Sequence, residues 1–516
     1  MNPYDFDLFV IGGGSGGVRA ARMAAQRGVR VALAEAHGQA GLGGTCVNAG
    51  CIPKKLYGYA AHYATAQRES QGYGWEAAPA RLNWATLKAN RARELARLNG
   101  VYADLLRASG VALLEGWARL LDPHTVSLAT LNADGSPGQR RFSAARILVA
   151  TGAAPHLPHF KGREHALHSS DLFEIEPFPQ RLLVVGGGYI ACEFASIFHG
   201  LGAQVTQLYR GEQILRGFDD ELRHFLAAEL LKKGLDLRLQ AGVLGLERHA
   251  DGLHVALEDG NHLVVDAALY ATGRRPNVQG LGLDELGVAL GAQGEIVVDA
   301  QFQSSVPSVY ALGDVTGPMQ LTPVALAQAM RLVDQLYGSG HARPALDLDL
   351  VPTAVFTHPS LATVGLSEAQ ARQRYPRVRV YRSEFRALRH TLSASSERTL
   401  IKLIVNDADD RVLGLHMVGA EAGEIVQGFA VALQAGATKA QFLPSPRPKA
   451  TPTPRPRWLR CRRCTSARWR ICARRCTSMC APAAPAHPSA CAPATPSCAC
   501  TASAPTAGPA RARPAA

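Results

Sequence analysis

Two glycine-rich turns, far apart in the chain and each set between a buried-type strand and a helical pattern, constrain the fold more than any other feature. Leu8-Phe9-Val10-Ile11 runs into Gly12-Gly13-Gly14-Ser15-Gly16-Gly17; an Ala-rich helical stretch follows to Gln26, and a second strand, Val29 to Ala34, ends at Glu35. Much later, Arg181 to Val185 meets Gly186-Gly187-Gly188, a helical pattern runs from Ile190 to Phe198, and Val205 to Tyr209 is the next strand. Strand, glycine turn, helix and strand open a doubly wound parallel sheet, and two copies imply two nucleotide domains. In Gly12-x-Gly14-x-x-Gly17 the first glycine makes the tight turn, the second lets the backbone approach a pyrophosphate, and the third packs helix on strand. The helix N-terminus offers free N–H groups to phosphates, and Glu35 is placed to accept from ribose hydroxyls. In the second copy, Gly186-x-Gly188-x-x-Ala191, the acid is missing. Its strand ends at Tyr209-Arg210 with Arg216 close behind. Arginines there suit a 2′-phosphate, which points to NADP(H) in that half.

The 516 residues suffice for about three domains. The formal net charge of +13 would suggest a nucleic-acid or membrane partner if it were spread over the fold. It is concentrated instead. Residues 443–516 hold 13 Lys and Arg and no acid, so residues 1–442 balance 42 basic against 42 acidic side chains. Cysteine partitions the same way: Cys46, Cys51 and Cys192 lie in the body, and eight lie beyond residue 460. So few body cysteines exclude a secreted disulfide scaffold. The start of the chain lacks a basic and then apolar leader, and no run approaches the ~18 apolar residues of a membrane span. A soluble cytoplasmic enzyme is the expectation. Between the two cradles lie a helical region, Leu82 to Ser109, and a β-rich stretch closing at Ala150-Thr151-Gly152. From Val351 to Phe442 alternating strands and polar helices, such as Thr399 to Val405 and Gly414 to Met417, indicate an α+β domain.

Gly43-Gly44-Thr45-Cys46-Val47-Asn48-Ala49-Gly50-Cys51-Ile52-Pro53-Lys54-Lys55 carries the chemistry. Two cysteines five apart ahead of a helix can form a small disulfide that opens without backbone movement. A thiolate beside a helix N-terminus and a cation is stabilised. A structural disulfide or a pair of metal ligands are the other options. With no His or second Cys pair nearby, a zinc site is incomplete, and no metal is expected.

With these strings in place, residues 1–442 resemble the pyridine nucleotide-disulfide oxidoreductases, and most closely those that reduce glutathione disulfide. The resemblance implies an α/β fold with two Rossmann-like domains and an α+β dimerisation domain. The implied division is an FAD-binding domain over 1–152, an NADPH-binding domain over 153–276, the returning FAD-binding part over 277–347, and an incomplete dimerisation domain over 348–442. It further implies that Cys46 exchanges with substrate, that Cys51 contacts the flavin, and that Lys54 lies near the flavin and pairs with Glu193. Tyr189 matches the tyrosine covering the nicotinamide pocket. Arg210 and Arg216 match the 2′-phosphate clamp, and Arg274 in Ala271-Thr272-Gly273-Arg274 another NADPH contact. Asp314, in Val309-Tyr310-Ala311-Leu312-Gly313-Asp314, would hold the ribityl chain, with Leu321-Thr322-Pro323 lining the flavin. Ser15, Thr45, Thr151, Gly152, Ile190 and Gly273 complete the implied cofactor contacts.

NADPH preference argues against the lipoamide-type relatives. Arg22 matches the position that binds a glutathione carboxylate, where trypanothione enzymes carry an aromatic, and Arg19 adds positive charge where those enzymes put an acid. A cationic mouth suits anionic glutathione disulfide. Tyr102 matches the tyrosine between the two substrate halves. One family arginine is unmatched: Met330 stands there, with Arg331 adjacent. A thioredoxin-reducing relative is the nearest alternative.

The resemblance stops at Phe442. The family continues to a His-Pro and a following Glu that enter the partner subunit's site of a homodimer, whereas here Lys449 holds the register position and no His-Pro-Thr-x-x-Glu follows. His487 has no acid after it. Residues 443–516, rich in Pro, Arg, Ala, Cys and Ser, have no apolar period and are expected to be disordered. The abrupt change suggests a frameshift, and with it a chain impaired in turnover. A zinc site on Cys461, Cys464, Cys472, Cys476 and Cys480, a redox pair at Cys498 and Cys500, and a nucleic-acid-binding tail are competing options, disfavoured by irregular spacing and the lack of a surrounding core.

Overall fold

The computed structural model describes residues 3–76, 81–131, 134–317, 319–338 and 346–442. Its first unit is β1 (Phe6–Ile11), α1 (Ser15–Ala25) and β2 (Val31–Glu35). The strand starts at Val31, not Val29, because the helix-ending turn consumes two more residues. Gly28 sits at φ +81°, and the Val29 N–H still donates to the Ala24 carbonyl at 3.3 Å. Two short helices, α2 (Gly38–Gly41) and α3 (Gly44–Asn48), lead into α4 (Cys51–Ser70). The long α5 (Trp84–Ala108) is started by Asn83, whose side chain accepts from the Thr86 N–H at 2.9 Å. Strands β3 (Ala112–Glu115), β4 (Trp117–Asp122), β5 (Thr125–Leu131) and β6 (Pro137–Val149) complete a sheet ordered β3-β2-β1-β6-β5-β4. The run from β3 to β6 is parallel, and β5 and β4 add antiparallel. Because helices or loops cover both faces, β1 and β2 are apolar apart from Asp7 and the terminal Glu35. Leu8, Val10 and Leu33 pack with Ala20, Ala21 and Ala24 of α1, while Phe9, Ala32 and Ile147 fill the other side. Each fully buried large side chain contributes about 1.5–3 kcal/mol.

The second unit runs through β7 (Ala153–Pro155), α6 (Ser169–Leu172), β8 (Arg181–Val185), α7 (Tyr189–Gly200), β9 (Gln204–Tyr209), α8 (Asp220–Lys232) and β10 (Asp236–Leu239). Its parallel sheet is ordered β10-β9-β8 with the strand Ala267–Tyr270 at the edge. A three-stranded antiparallel layer covers it through Leu246, Leu253 and Val255. Helix α7 is buried continuously from Ala191 to Phe198, because it packs on its own sheet and also against α4.

The chain then returns to the first sheet. Arg274–Pro276 pairs with β7, Val309–Ala311 pairs parallel with β6, and the helix Thr322–Tyr337 lies along α1. A five-stranded antiparallel sheet follows. It contains Thr353–Val355, Ser360–Gly365, Val378–Phe385, Thr399–Asn406 and Val412–Gly419, with the helix Ala422–Gln434 against it. The expected α/β architecture, two doubly wound sheets and an α+β domain, is what the chain builds. Residues 443–516, with Lys449, His487 and the eight late cysteines, lie outside the described residues. Among the described residues no helix is long and apolar enough to cross a membrane.

Candidate active site

Both cradles leave a helix N-terminus open. Gly14 caps α1 and Gly188 caps α7, and neither makes a side-chain capping bond, so the first backbone N–H groups stay available. The glycines divide by role. At Gly12 (φ +107°) a Cβ would lie 2.5 Å from the Ala150 carbonyl oxygen, and at Gly17 one would lie 2.0 Å from the Gly12 carbonyl oxygen; both are needed by the protein's own packing. A Cβ on Gly14 would meet nothing nearer than Gly44 at 4.0 Å, and one on Gly188 nothing within 4 Å. Those two positions are free of protein, as backbone approached by a phosphate requires.

A cavity of about 2060 Å³ runs from the first cradle to the cysteines. Gly12, Gly14, Ser15, Glu35, Thr45, Cys46, Cys51, Lys54, Thr151, Gly152, Tyr189, Ile190, Glu193, Arg274, Asp314 and Thr322 all line it. Glu35 is anchored by the Gly13 N–H at 2.7 Å. Thr151 donates to the Asn277 carbonyl at 2.7 Å, and Arg274 donates to the Ala153 carbonyl. Burial pushes the Asp314 carboxyl up, against the pull of Arg274. A two-ended dinucleotide of flavin and adenosine fits this donor set, with a carboxylate at one end and a lysine and two sulfurs at the other.

At the sulfur end, Cys46 sits inside α3 and Cys51 is the first residue of α4. Both are thiols in this structure. Their side chains are hydrogen-bonded to each other. Cys51 is lowered to about 6, first by the hydrogen bond from Cys46 and then by Lys54 and by Thr322, whose Oγ1 lies 4.0 Å from the Cys51 sulfur. The same bond pushes the Cys46 thiol up. Lys54 Nζ donates to Glu193 at 2.7 Å, with Glu193 only 1% exposed, so the pair is shielded from water. Tyr189 stands over this end, 38% accessible as a residue, with desolvation pushing its phenol up to about 12.

Two sequence-predicted groups sit elsewhere. Arg210 and Arg216 are exposed beside the second cradle, outside the large cavity, and neither pairs with a carboxylate among the described residues. The loop between them is tied to the cradle by the Leu215 N–H donating to the Gly187 carbonyl at 2.6 Å. A Cβ on Gly273 (φ +147°) would likewise meet nothing within 4 Å among the described residues. Arg19, Arg22 and Tyr102 lie outside the large cavity too. Tyr102 feels both Cys46 and Arg19, which places those three in one neighbourhood, and desolvation pushes its phenol up. Arg22 has a buried Nε without a hydrogen-bond partner among the described residues.

Sequence reasoning missed two supports. Glu193 also accepts the Phe356 N–H at 2.9 Å, and Lys54 Nζ lies 4.8 Å from the centre of the Phe356 ring. Asn48, between the cysteines, donates to the carbonyls of Gly41, Leu42 and Gly44 at 3.1–3.3 Å. Asn99 on α5 donates to the Asn48 side chain at 3.0 Å and to Leu42 at 2.7 Å, which fixes the cysteine loop. An amide inside the Cys-Cys spacing was the available signal for the second. Nothing marks Phe356.

Two open glycine cradles, the first of them on the same cavity as a buried Lys–Glu pair and two neighbouring thiols, define a pyridine-nucleotide flavoprotein that passes two electrons to a disulfide. The comparisons agree. Pyridine nucleotide-disulphide oxidoreductase matches residues 6–329, and the dimerisation domain of the same family matches 351–453. The chain belongs to the pyridine nucleotide-disulphide oxidoreductase family and is an FAD- and NADPH-dependent disulfide oxidoreductase. It is 48% identical over 442 residues to a glutathione reductase of Burkholderia cepacia, covering 86% of this chain and 95% of that one. It is 39% identical to a glutathione reductase of Nostoc sp. (85% and 96% covered), and 41% identical to the chloroplastic/mitochondrial glutathione reductase of Pisum sativum (85% and 79%).

Proposed function

We propose that the chain reduces glutathione disulfide for thiol redox balance in the cytoplasm, using Cys46 as the exchanging sulfur and Cys51 as the resolving one. The observation that carries this is the placement of Cys46 and Cys51 on one cavity with the buried Lys54–Glu193 pair. The names of the similar chains, and Tyr102 between Cys46 and Arg19, support the substrate. When bound, FAD and NADPH would supply two electrons as hydride, the reducing equivalents that keep Cys46 and Cys51 as a dithiol. The Cys46 thiolate then attacks one sulfur of glutathione disulfide, forming a mixed disulfide and releasing one glutathione thiolate. Cys51 attacks Cys46 in that mixed disulfide, the second glutathione leaves, and the Cys46–Cys51 bond is restored.

Cys46 holds the proton that must leave before attack. The described groups acting on it are Cys51, Thr322 and Lys54, and none is an imidazole. In the family a His-Pro imidazole from the partner subunit takes that proton. The sequence after Phe442 offers Lys449 at that register and no equivalent histidine. The dimerisation match supports a homodimer, and the lost ending argues for a weakened one. We therefore propose that this polypeptide keeps cofactor reduction and turns over poorly, by about 10²–10⁴-fold, the typical contribution of a general acid–base.

The test is NADPH oxidation by this chain and by a version with the reading frame restored after codon 442, each with glutathione disulfide and with thioredoxin. The expected result is glutathione disulfide turnover by the restored chain only, with NADPH bleaching the bound flavin in both. Full-rate turnover by the chain as given sinks the impairment, and thioredoxin preference sinks the substrate.

A further inference from the structure

The large cavity also holds an aromatic pair that the redox chemistry does not use. Trp117 opens β4 and is 67% exposed, yet it lines the cavity. The ring of His37, also in the lining, stands edge-on to it with centroids 5.8 Å apart and planes at 79°. Both are tied to Glu35. The His37 N–H donates to Glu35 Oε1 at 3.2 Å, and the Gly116 N–H donates to the Glu35 carbonyl at 3.1 Å. Gly116 lies at φ +143°, and a Cβ there would sit 2.3 Å from the Ala129 carbonyl oxygen. This turn, which an alanine would strain, delivers Trp117 next to the acid. An indole left this open costs apolar hydration unless something flat covers it.

Contacts link the lining in sequence: Cys46 shares α3 with Gly44, a Cβ on Gly14 would meet Gly44 at 4.0 Å, the Gly13 N–H beside it holds Glu35, and Glu35 accepts from His37, whose ring meets Trp117. A flavin dinucleotide laid along it, with its redox ring at the sulfurs and its pyrophosphate at the cradle, brings its adenosine past Glu35. We propose that Trp117, steadied by His37, is the stacking wall for the adenine ring of FAD, so that the adenosine half, and not the flavin half, sets how tightly this chain holds its cofactor. This rests on the assignment of the large cavity to FAD.

The full chain, freed of flavin and titrated with FAD or with FMN, which lacks the adenosine, tests it through flavin fluorescence and indole quenching. Base–aromatic stacking removed by Trp117→Ala should raise the FAD dissociation constant roughly tenfold to a hundredfold. FMN binding should stay unchanged, Trp117→Phe should retain most of the FAD affinity, and FAD-induced quenching should fall in Trp117→Ala. Unchanged FAD affinity in Trp117→Ala overturns the proposal. So does an equal loss of FAD and FMN, which would mean that the variant damages the site as a whole. A wild-type chain that takes up no FAD overturns the cavity assignment itself, a separate failure seen without any variant.

Discussion

The two glycine cradles share a local grammar and differ in what surrounds them. The first is roofed by the returning strand and the Thr322–Tyr337 helix, and opens into the large cavity, with Glu35 held at 2.7 Å by the Gly13 N–H. The second faces outward. Its strand ends in Tyr209, whose ring lies where a Cβ on Gly187 would meet it at 2.5 Å, and the two cations beyond it are exposed. An enclosed acid suits a cofactor that stays, and an open cationic rim suits one that arrives, reacts and leaves. Identical turns therefore specify only that a pyrophosphate binds. The residue closing the second strand, and the depth at which the turn sits, decide which nucleotide binds and for how long.

The contrast presumes that both cradles serve one sulfur pair. Cys51→Ser should lower glutathione disulfide turnover in the frame-restored chain by roughly 10⁴-fold or more, while flavin stays bound; residual activity well above that would mean a second electron exit. The outer cradle is tested next. Arg210→Ala with Arg216→Ala should cost about 10²–10⁴-fold in kcat/KM for NADPH and leave NADH nearly unchanged, since each charged hydrogen bond is worth ~1.5–3 kcal/mol; an equal loss with both nucleotides breaks the assignment. Glu35→Gln should weaken FAD about tenfold, measured by flavin release on dilution, without moving the NADPH-to-NADH ratio. The smallest effect concerns the shared endpoint. In the reduced chain the thiolate absorbance should be present above a midpoint of about 6 and disappear as pH falls through it, because Cys51 is lowered from its ordinary value. Lys54→Met should move that midpoint upward.

Much of this was legible in the chain because the parts are local. Gly12 to Glu35 and Gly186 to Arg210 each lie within one strand–helix–strand unit, and the cysteines share one short string with Lys54. Pairing Lys54 with Glu193 needed the family resemblance, since nothing local joins residues so far apart. The hidden parts are tertiary. Asn99 reaches Asn48 from another helix, Phe356 meets Glu193 through a backbone N–H that any residue but proline could supply, and Trp117 meets His37 only because the two follow the paired ends of β3 and β2, Glu115 and Glu35. Strand ends were off where a turn borrowed residues, as at Val29.

The Glu193 carboxylate receives Lys54 from α4 in the first unit and the Phe356 N–H from the third, while itself riding on α7 of the second. Three separately built sheets thus meet at one oxygen. The ammonium that tunes Cys51 is held in place only after all three have docked, so a nascent or half-assembled chain carries its two sulfurs without that restraint. The enzyme's reactivity is in this sense a certificate of completed assembly, issued at a single hydrogen-bonded junction.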